Sequence, residues 1–332
     1  LKGGSVVGAK GEIVVTSSWK NLEVLVFARR LGGRAAKPGT VVSVRLALIF
    51  CTLLGCTTIH LEEEHAFDAK RTVSEQQISE LGAQRTRFSI PIAEDMSLSA
   101  WWLRRMESRG TLLYFGGNGY LMVNSYHIMQ GILQGPVDVL TVDYRGYGQS
   151  DGTPSIADLK ADALAVYDYA VASGVPKDAI AVHGHSLGSF VALWVASKRD
   201  VAAVILETPV THVEDLLGHL APWWSRLFIG FDVDPALLAE NNRARIRKLR
   251  RPLLILAGEE DKVAHPDMAK TLFEEAASED KHLEVFPGGG HNDLPLRSDY
   301  RASFQSFLER IFPSPSTVSP KIDAIDAHGA PE

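Results

Sequence analysis

Residues 182–188 read Val-His-Gly-His-Ser-Leu-Gly and enclose the pattern Gly-x-Ser-x-Gly with Ser186 at its centre. An apolar run, residues 179–182, leads in, and a helix-prone run, residues 190–197, leads out, so strand, tight turn and helix follow in order. That order is the setting of a nucleophile elbow, a sharp turn that lifts a serine hydroxyl clear of a sheet. Gly184 and Gly188 leave room where a Cβ would collide with neighbouring backbone. A glycine-rich turn without chemistry is the plainer reading of the same letters, and the flanking strand and helix favour the catalytic one.

Working outward, strands and helices alternate on both sides of this turn. Residues 87–92 and 98–104 read as an antiparallel pair around a turn at 93–96, with Trp101 and Trp102 facing opposite sides. Short apolar strands are then expected at 111–115, 137–142, 180–183, 201–206, 252–257 and 283–286, with helices at 120–134, 156–172 and 298–312. The expected fold class is α/β: a mostly parallel sheet of about eight strands covered by helices on both faces. Residues 208–250 form a long excursion between strands and read as a short helical lid, with Trp223, Trp224 and Phe228 as lid or substrate-pocket residues. A packed insert with no ligand role is the alternative. Arg243, Arg247 and Arg251 lie at i, i+4 spacing and read as a solvated cationic face.

The chain has 332 residues and a formal charge of −6, which offers no basic field for nucleic acid. There is no zinc-type Cys/His cluster, and the two cysteines, Cys51 and Cys56, share one apolar segment. That segment, residues 46–56, follows Arg45 and is too short for the ~20 residues of a spanning helix. Leu53-Leu54-Gly55-Cys56 resembles the lipobox of bacterial lipoproteins, which implies lipidation of Cys56 and a membrane anchor. Thr57 at the next position, not Asp, resembles cargo sorted to the Gram-negative outer membrane, so the expected location is its periplasmic face, with the cytoplasm as the alternative. A start misplaced upstream of residues 41–44 would explain the length of the leader. The resulting division is a leader and signal at 1–56, a tether with a short helix at 57–84, the folded domain at 85–312 and a disordered tail at 313–332.

A serine is a poor nucleophile near neutral pH, so it needs a base in hydrogen-bond reach and a third group to hold the base in the right tautomer. Two later loops offer both. Gly258-Glu259-Glu260-Asp261 follows one strand, and Gly288-Gly289-Gly290-His291 follows the next. Loops after successive parallel strands emerge on one sheet edge, so Ser186, Asp261 and His291 can converge. Asp261 is the favoured acid by its spacing from the strand end, with Glu259, Glu260 and Glu207 as rivals. His183 and His185 flank the elbow and read as packing or hydrogen-bonding groups. The oxyanion requires two donors, and the amide of Leu187 at the start of the elbow helix is one candidate. The other is the amide of Asn118 in the loop Phe115-Gly116-Gly117-Asn118-Gly119, where Gly116, Gly117 and Gly119 allow the backbone to turn.

Taken together, these residues resemble the α/β-hydrolase superfamily, in the branch of serine aminopeptidase-like hydrolases and depalmitoylases. The resemblance covers residues 88–308 through Phe-Gly-Gly-Asn-Gly at 115–119, Asp-Tyr-Arg-Gly-Tyr-Gly at 143–148, Gly-His-Ser-Leu-Gly at 184–188, Gly-Glu-Glu-Asp at 258–261 and Gly-His-Asn-Asp at 290–293. It implies a cofactor-independent enzyme that cleaves esters, thioesters or amides of a small-molecule or acylated substrate through an acyl-enzyme. By that likeness Ser186 attacks, His291 takes its proton and Asp261 orients His291. The branch usually has His-Gly-Asn where this chain has Gly116-Gly117-Asn118, and the missing histidine normally buttresses the oxyanion loop. The expected function is an esterase or thioesterase. A serine peptidase or amidase is the alternative, with Glu207 or Asp215 anchoring a substrate amine, and a non-catalytic envelope binding protein on the same scaffold is the third reading.

Overall fold

The computed structural model describes residues 6–7, 13–14, 57–69, 85–122, 125, 131–133, 135–220 and 229–314. Cys56, Trp223, Trp224 and Phe228 lie outside the described residues, as does the stretch from 70 to 84. The sheet runs β1 (Arg85–Ala93), β2 (Met96–Leu103), β3 (Thr111–Phe115), β4 (Asp138–Val142), β5 (Ile180–His185), β6 (Ala203–Glu207), β7 (Leu253–Gly258) and β8 (Lys281–Phe286). Their lateral order is β1-β2-β4-β3-β5-β6-β7-β8. The hairpin β1–β2 is antiparallel and β2 meets β4 antiparallel, while the remaining neighbours from β4 to β8 are parallel. This is the α/β-hydrolase sheet. All its expected strands are present within a residue or two.

Strands β3 to β7 are buried along their whole length, as apolar runs covered on both faces require. The adjacent tryptophans divide as alternation demands: Trp102 packs in one apolar cluster and Trp101 in the other, on opposite faces of β2. Helices α1 (Ile156–Ala172), α2 (Gly188–Lys198), α3 (Val213–Leu220), α4 (Pro235–Leu238), α5 (Asn242–Ile246), α6 (Pro266–Glu275) and α7 (Ser298–Ile311) complete the described elements. Ser155 caps α1 by accepting the amide of Asp158. Of the helix expected at 120–134, Gly131 and Ile132 are helical, whereas Tyr120 and Leu121 belong to the loop after β3. The cationic face is largely neutralised: Arg243 and Arg247 both pair with Glu275, and Arg251 pairs with Asp200.

The segment after residue 56 is more than a spacer. Thr57–Leu61 is a strand that pairs in parallel with Ile229–Val233 of the insert, in a small second sheet. Ala66 and Phe67 are buried in the main core, and Glu63 Oε1 accepts the amide of Ile156 at the start of α1. Asp68 then donates its amide to the side chain of Asn118 at 2.7 Å.

Candidate active site

The elbow is built by close backbone approaches. A Cβ on Gly184 would lie 2.1 Å from the carbonyl oxygen of Gly188, and a Cβ on Gly188 would lie 2.0 Å from that of Phe115. Neither position tolerates a side chain. Between them Ser186 adopts φ = 52°, a left-handed backbone that costs a non-glycine residue on the order of 1–3 kcal/mol. Its amide donates to the carbonyl of Glu207 at 2.9 Å, so β6 holds the strained residue in place. Thr208, directly after β6, is the other described non-glycine residue with positive φ, at 43°.

The loops that carry Asp261 and His291 are pressed together where they leave the sheet. Glu259 and Glu260 donate their amides to the carbonyls of Phe286 and Gly289, and a Cβ on Gly258 would lie 2.4 Å from Gly289 oxygen. From these loops His291 Nε2 reaches Ser186 Oγ at 3.0 Å, while Nδ1 reaches Asp261 Oδ2 at 2.7 Å. The carboxylate needs a proton on Nδ1, which leaves Nε2 free to accept from the serine hydroxyl. Asp261 is itself immobilised, because its Oδ1 accepts the amides of Val263 and Ala264 at 2.7 and 3.0 Å. Its rivals are elsewhere: Glu259 and Glu260 are exposed, and Glu207 is buried on His183 and Tyr300.

Of the two roles open to His185, packing or hydrogen bonding, it takes the second as well as the first. Its Nε2 donates to the carbonyl oxygen of His291 at 2.9 Å, tying the His291 loop to the elbow. Burial, aided by the nearby His291, lowers its pKa against the opposing pull of Glu207, which favours the neutral ring. Its Nδ1 faces Gly117, where a Cβ would come within 2.8 Å of it and within 3.3 Å of Ser186 Cβ. The loop after β3 therefore lies directly against the serine.

That loop is held by residues that sequence reading used only as family markers. Tyr144 donates its hydroxyl to the carbonyl of Gly116 at 2.7 Å, and Tyr147 donates to Asn118 Oδ1 at 2.9 Å. Asp143 Oδ1 accepts the amide of Met122 at 2.9 Å. Asp143 is buried, and desolvation outweighs its backbone hydrogen bonds to push its pKa up to about 6. The signal in the sequence is the pair of tyrosines three apart in Asp-Tyr-Arg-Gly-Tyr-Gly, whose partners are set by β4 lying beside β3. On the other side of the elbow, Leu187 packs against a cluster of Phe190, Val210, Leu216, Leu220, Ala264 and Met268. Among the described residues no group of three or more His, Cys, Asp and Glu is arranged to hold a metal ion.

A sheet of this order with a serine on a strained elbow and a histidine at its hydroxyl defines the class of the α/β hydrolases. Within it, a family model described as serine aminopeptidase, S33, matches residues 106–243 and 234–294, and the chain belongs to that family. Protein bem46 of Schizosaccharomyces pombe is 32% identical over 207 residues, 61% of this chain and 68% of that protein. An uncharacterised protein of Mycobacterium tuberculosis is 35% identical over 161 residues, covering 48% of this chain and 55% of its own length. Among solved structures, an esterase of Pyrococcus furiosus superimposes with a TM-score of 0.60 at 18% identity, over 74% of this chain and 98% of the esterase, a likeness of fold.

Proposed function

We propose that the chain is a serine hydrolase that cleaves a carboxylic ester or thioester through an acyl-enzyme. The observation that carries this reading is the continuous relay from Asp261 through His291 to Ser186 Oγ. Ser186 attacks the carbonyl carbon as His291 Nε2 takes its proton, and the same proton then goes to the leaving alcohol or thiol. Water, activated by His291, releases the acid and restores the serine. The amide of Leu187, at the first turn of α2 where helical amides have no acceptor within the helix, and the amide of Asn118 donate to the oxyanion. The apolar surroundings of Leu187 suit an acyl chain better than a charged peptide terminus.

The amidase alternative loses one of its two anchors, because Glu207 is 1% exposed and committed to His183 and Tyr300. A fluorophosphonate probe is expected to label the wild-type chain and to leave Ser186→Ala unlabelled, and no labelling of folded wild-type protein would defeat the enzyme reading. A panel of p-nitrophenyl esters run beside aminoacyl-anilides separates the two substrate classes, and faster turnover of the anilides would reverse the preference. The insert at 208–250 acts as a lid over this site in the same proposal, with Trp223, Trp224 and Phe228 as its apolar side. No helix among the described residues is long and apolar enough to cross a membrane. A lipid on Cys56 would supply an anchor, and mass spectrometry of the mature N-terminus from membranes tests it: a chain starting before Cys56 without lipid rules it out.

A further inference from the structure

Gly116 carries no side chain, yet the space where one would start is filled. A Cβ built on Gly116 would lie 2.0 Å from Cγ of Tyr120 and 2.4 and 2.5 Å from its two Cδ atoms. The Tyr120 ring thus occupies the volume into which a side chain at 116 would start. The ring is 7% exposed and packs on Tyr114, with centroids 5.5 Å apart.

Three bonds fix the ring and the loop to each other. The Tyr120 amide donates to the carbonyl of Gly117 at 3.1 Å, closing the turn. The Tyr120 hydroxyl lies 2.9 Å from Thr141 Oγ1, and Thr141 Oγ1 donates to the carbonyl of Tyr114 at 3.1 Å. Since the threonine has one proton, and it goes to Tyr114, the tyrosine must be the donor in the first of these two bonds. Tyr120 is therefore docked on β4 and β3, the strands beneath the loop. From the opposite side Tyr144 holds the Gly116 carbonyl, and Tyr147 and the Asp68 amide hold the Asn118 side chain. The backbone between these clamps is the part that lies against Ser186.

We propose that Tyr120 is the positioning residue of the oxyanion loop in this chain, its ring standing in for a side chain at residue 116 and holding the Gly116–Asn118 backbone against Ser186. The proposal rests on the serine-hydrolase reading above. A donor aimed at an oxyanion acts in the transition state and little in the ground state, so a loop that relaxes loses kcat and largely keeps KM.

Hydrolysis of p-nitrophenyl butyrate by the full chain tests this. Tyr120→Ala is expected to lower kcat by about 10²-fold with KM within about threefold, the scale of one oxyanion donor. Tyr120→Phe keeps the ring but gives up its bond to Thr141, so kcat is expected between the two, at least about tenfold above that of Tyr120→Ala. Gly116→Ala must displace the ring and is expected to lower kcat about tenfold or more, but in the Tyr120→Ala background the added methyl enters vacated space and costs less than about threefold. Tyr120→Ala with unchanged kcat, or a Gly116→Ala cost that is equal in both backgrounds, would overturn the proposal. Should Tyr120→Ala not fold, Gly116→Ala alone decides, since unchanged kcat there is incompatible with a ring that must move. Fluorophosphonate labelling of wild type and its loss in Ser186→Ala separate the two levels: no labelling of the wild type means the hydrolase reading fails, whereas labelled, active wild type with indifferent Tyr120 variants means only the positioning role fails.

Discussion

The elbow is flanked by two histidine–carboxylate pairs of the same chemistry in opposite settings. His291 Nδ1 meets Asp261 at 2.7 Å and His183 Nε2 meets Glu207 at 3.0 Å. The difference lies at the second ring nitrogen. In His291 it faces Ser186 Oγ, and the side chain is 14% exposed. In His183 it is buried with no hydrogen-bond partner among the described residues, and the ring packs edge-on against Tyr114 and beside Phe304. A pair with an open nitrogen can move a proton to substrate, while one sealed on all sides can only hold structure. Glu207 has a further task, because its carbonyl takes the Ser186 amide and its carboxylate takes the Tyr300 hydroxyl.

The contrast predicts opposite phenotypes. Asp261→Asn preserves shape but removes the preference for a proton on Nδ1, and kcat is expected to fall about 10³–10⁴-fold in steady-state ester hydrolysis with little change in unfolding midpoint. A loss below tenfold would erase the distinction between the pairs. Glu207→Gln is expected to reverse the pattern, costing about 3–5 kcal/mol in urea unfolding at pH 7 while kcat of the folded protein stays within about fivefold. Burial alone would raise the Glu207 pKa, but opposing effects led by the His183 hydrogen bond, with the Tyr300 hydrogen bond beside it, outweigh it, so the net direction is down. A depressed folded pKa stabilises above the unfolded value and is lost as pH falls through the folded one, so the gap between wild type and Glu207→Gln should close in acid.

Asp143 sharpens the comparison as a buried carboxylate in which burial wins. Its folded pKa of about 6 lies above the unfolded value, so the native state binds the extra proton between the two. Its contribution is greatest below the unfolded pKa and is lost as pH rises to about 6, a fall of at most about 3 kcal/mol. Urea midpoints from pH 4 to pH 7 are expected to show this slope in wild type and not in Asp143→Asn. Parallel curves would mean that Asp143 ionises no differently on folding.

Much of this was legible in the chain itself. Apolar runs of five or six residues separated by helical stretches dictate a doubly covered parallel sheet, and such a sheet delivers Ser186, Asp261 and His291 to one edge. What could not be read were contacts whose meaning depends on lateral neighbours. Glu207 and Asp261 both end or follow strands of that edge, and composition cannot say which one faces His291. Tyr120 reads as the first residue of an apolar helix, yet it lies in the loop because its ring fits beside Gly116 and its hydroxyl fits Thr141. The stretch 57–69 reads as charged tether, and its packing follows from Phe67 and from Asp68 reaching a residue 50 positions away.

By itself the sequence determined the elbow: strand, glycine, serine, glycine and helix are local instructions, and contacts as close as 2.0 Å at Gly188 show why the glycines are obligatory. Only the tertiary structure decided the partners, the acid at His291, the sealed pair beneath it and the tyrosine at Gly116. Backbone sterics act between adjacent residues and can be written in a motif. The choice among chemically equivalent side chains is made by strand order and loop geometry, which bring together groups 30 and 105 residues apart at the His291–Asp261 and His291–Ser186 contacts.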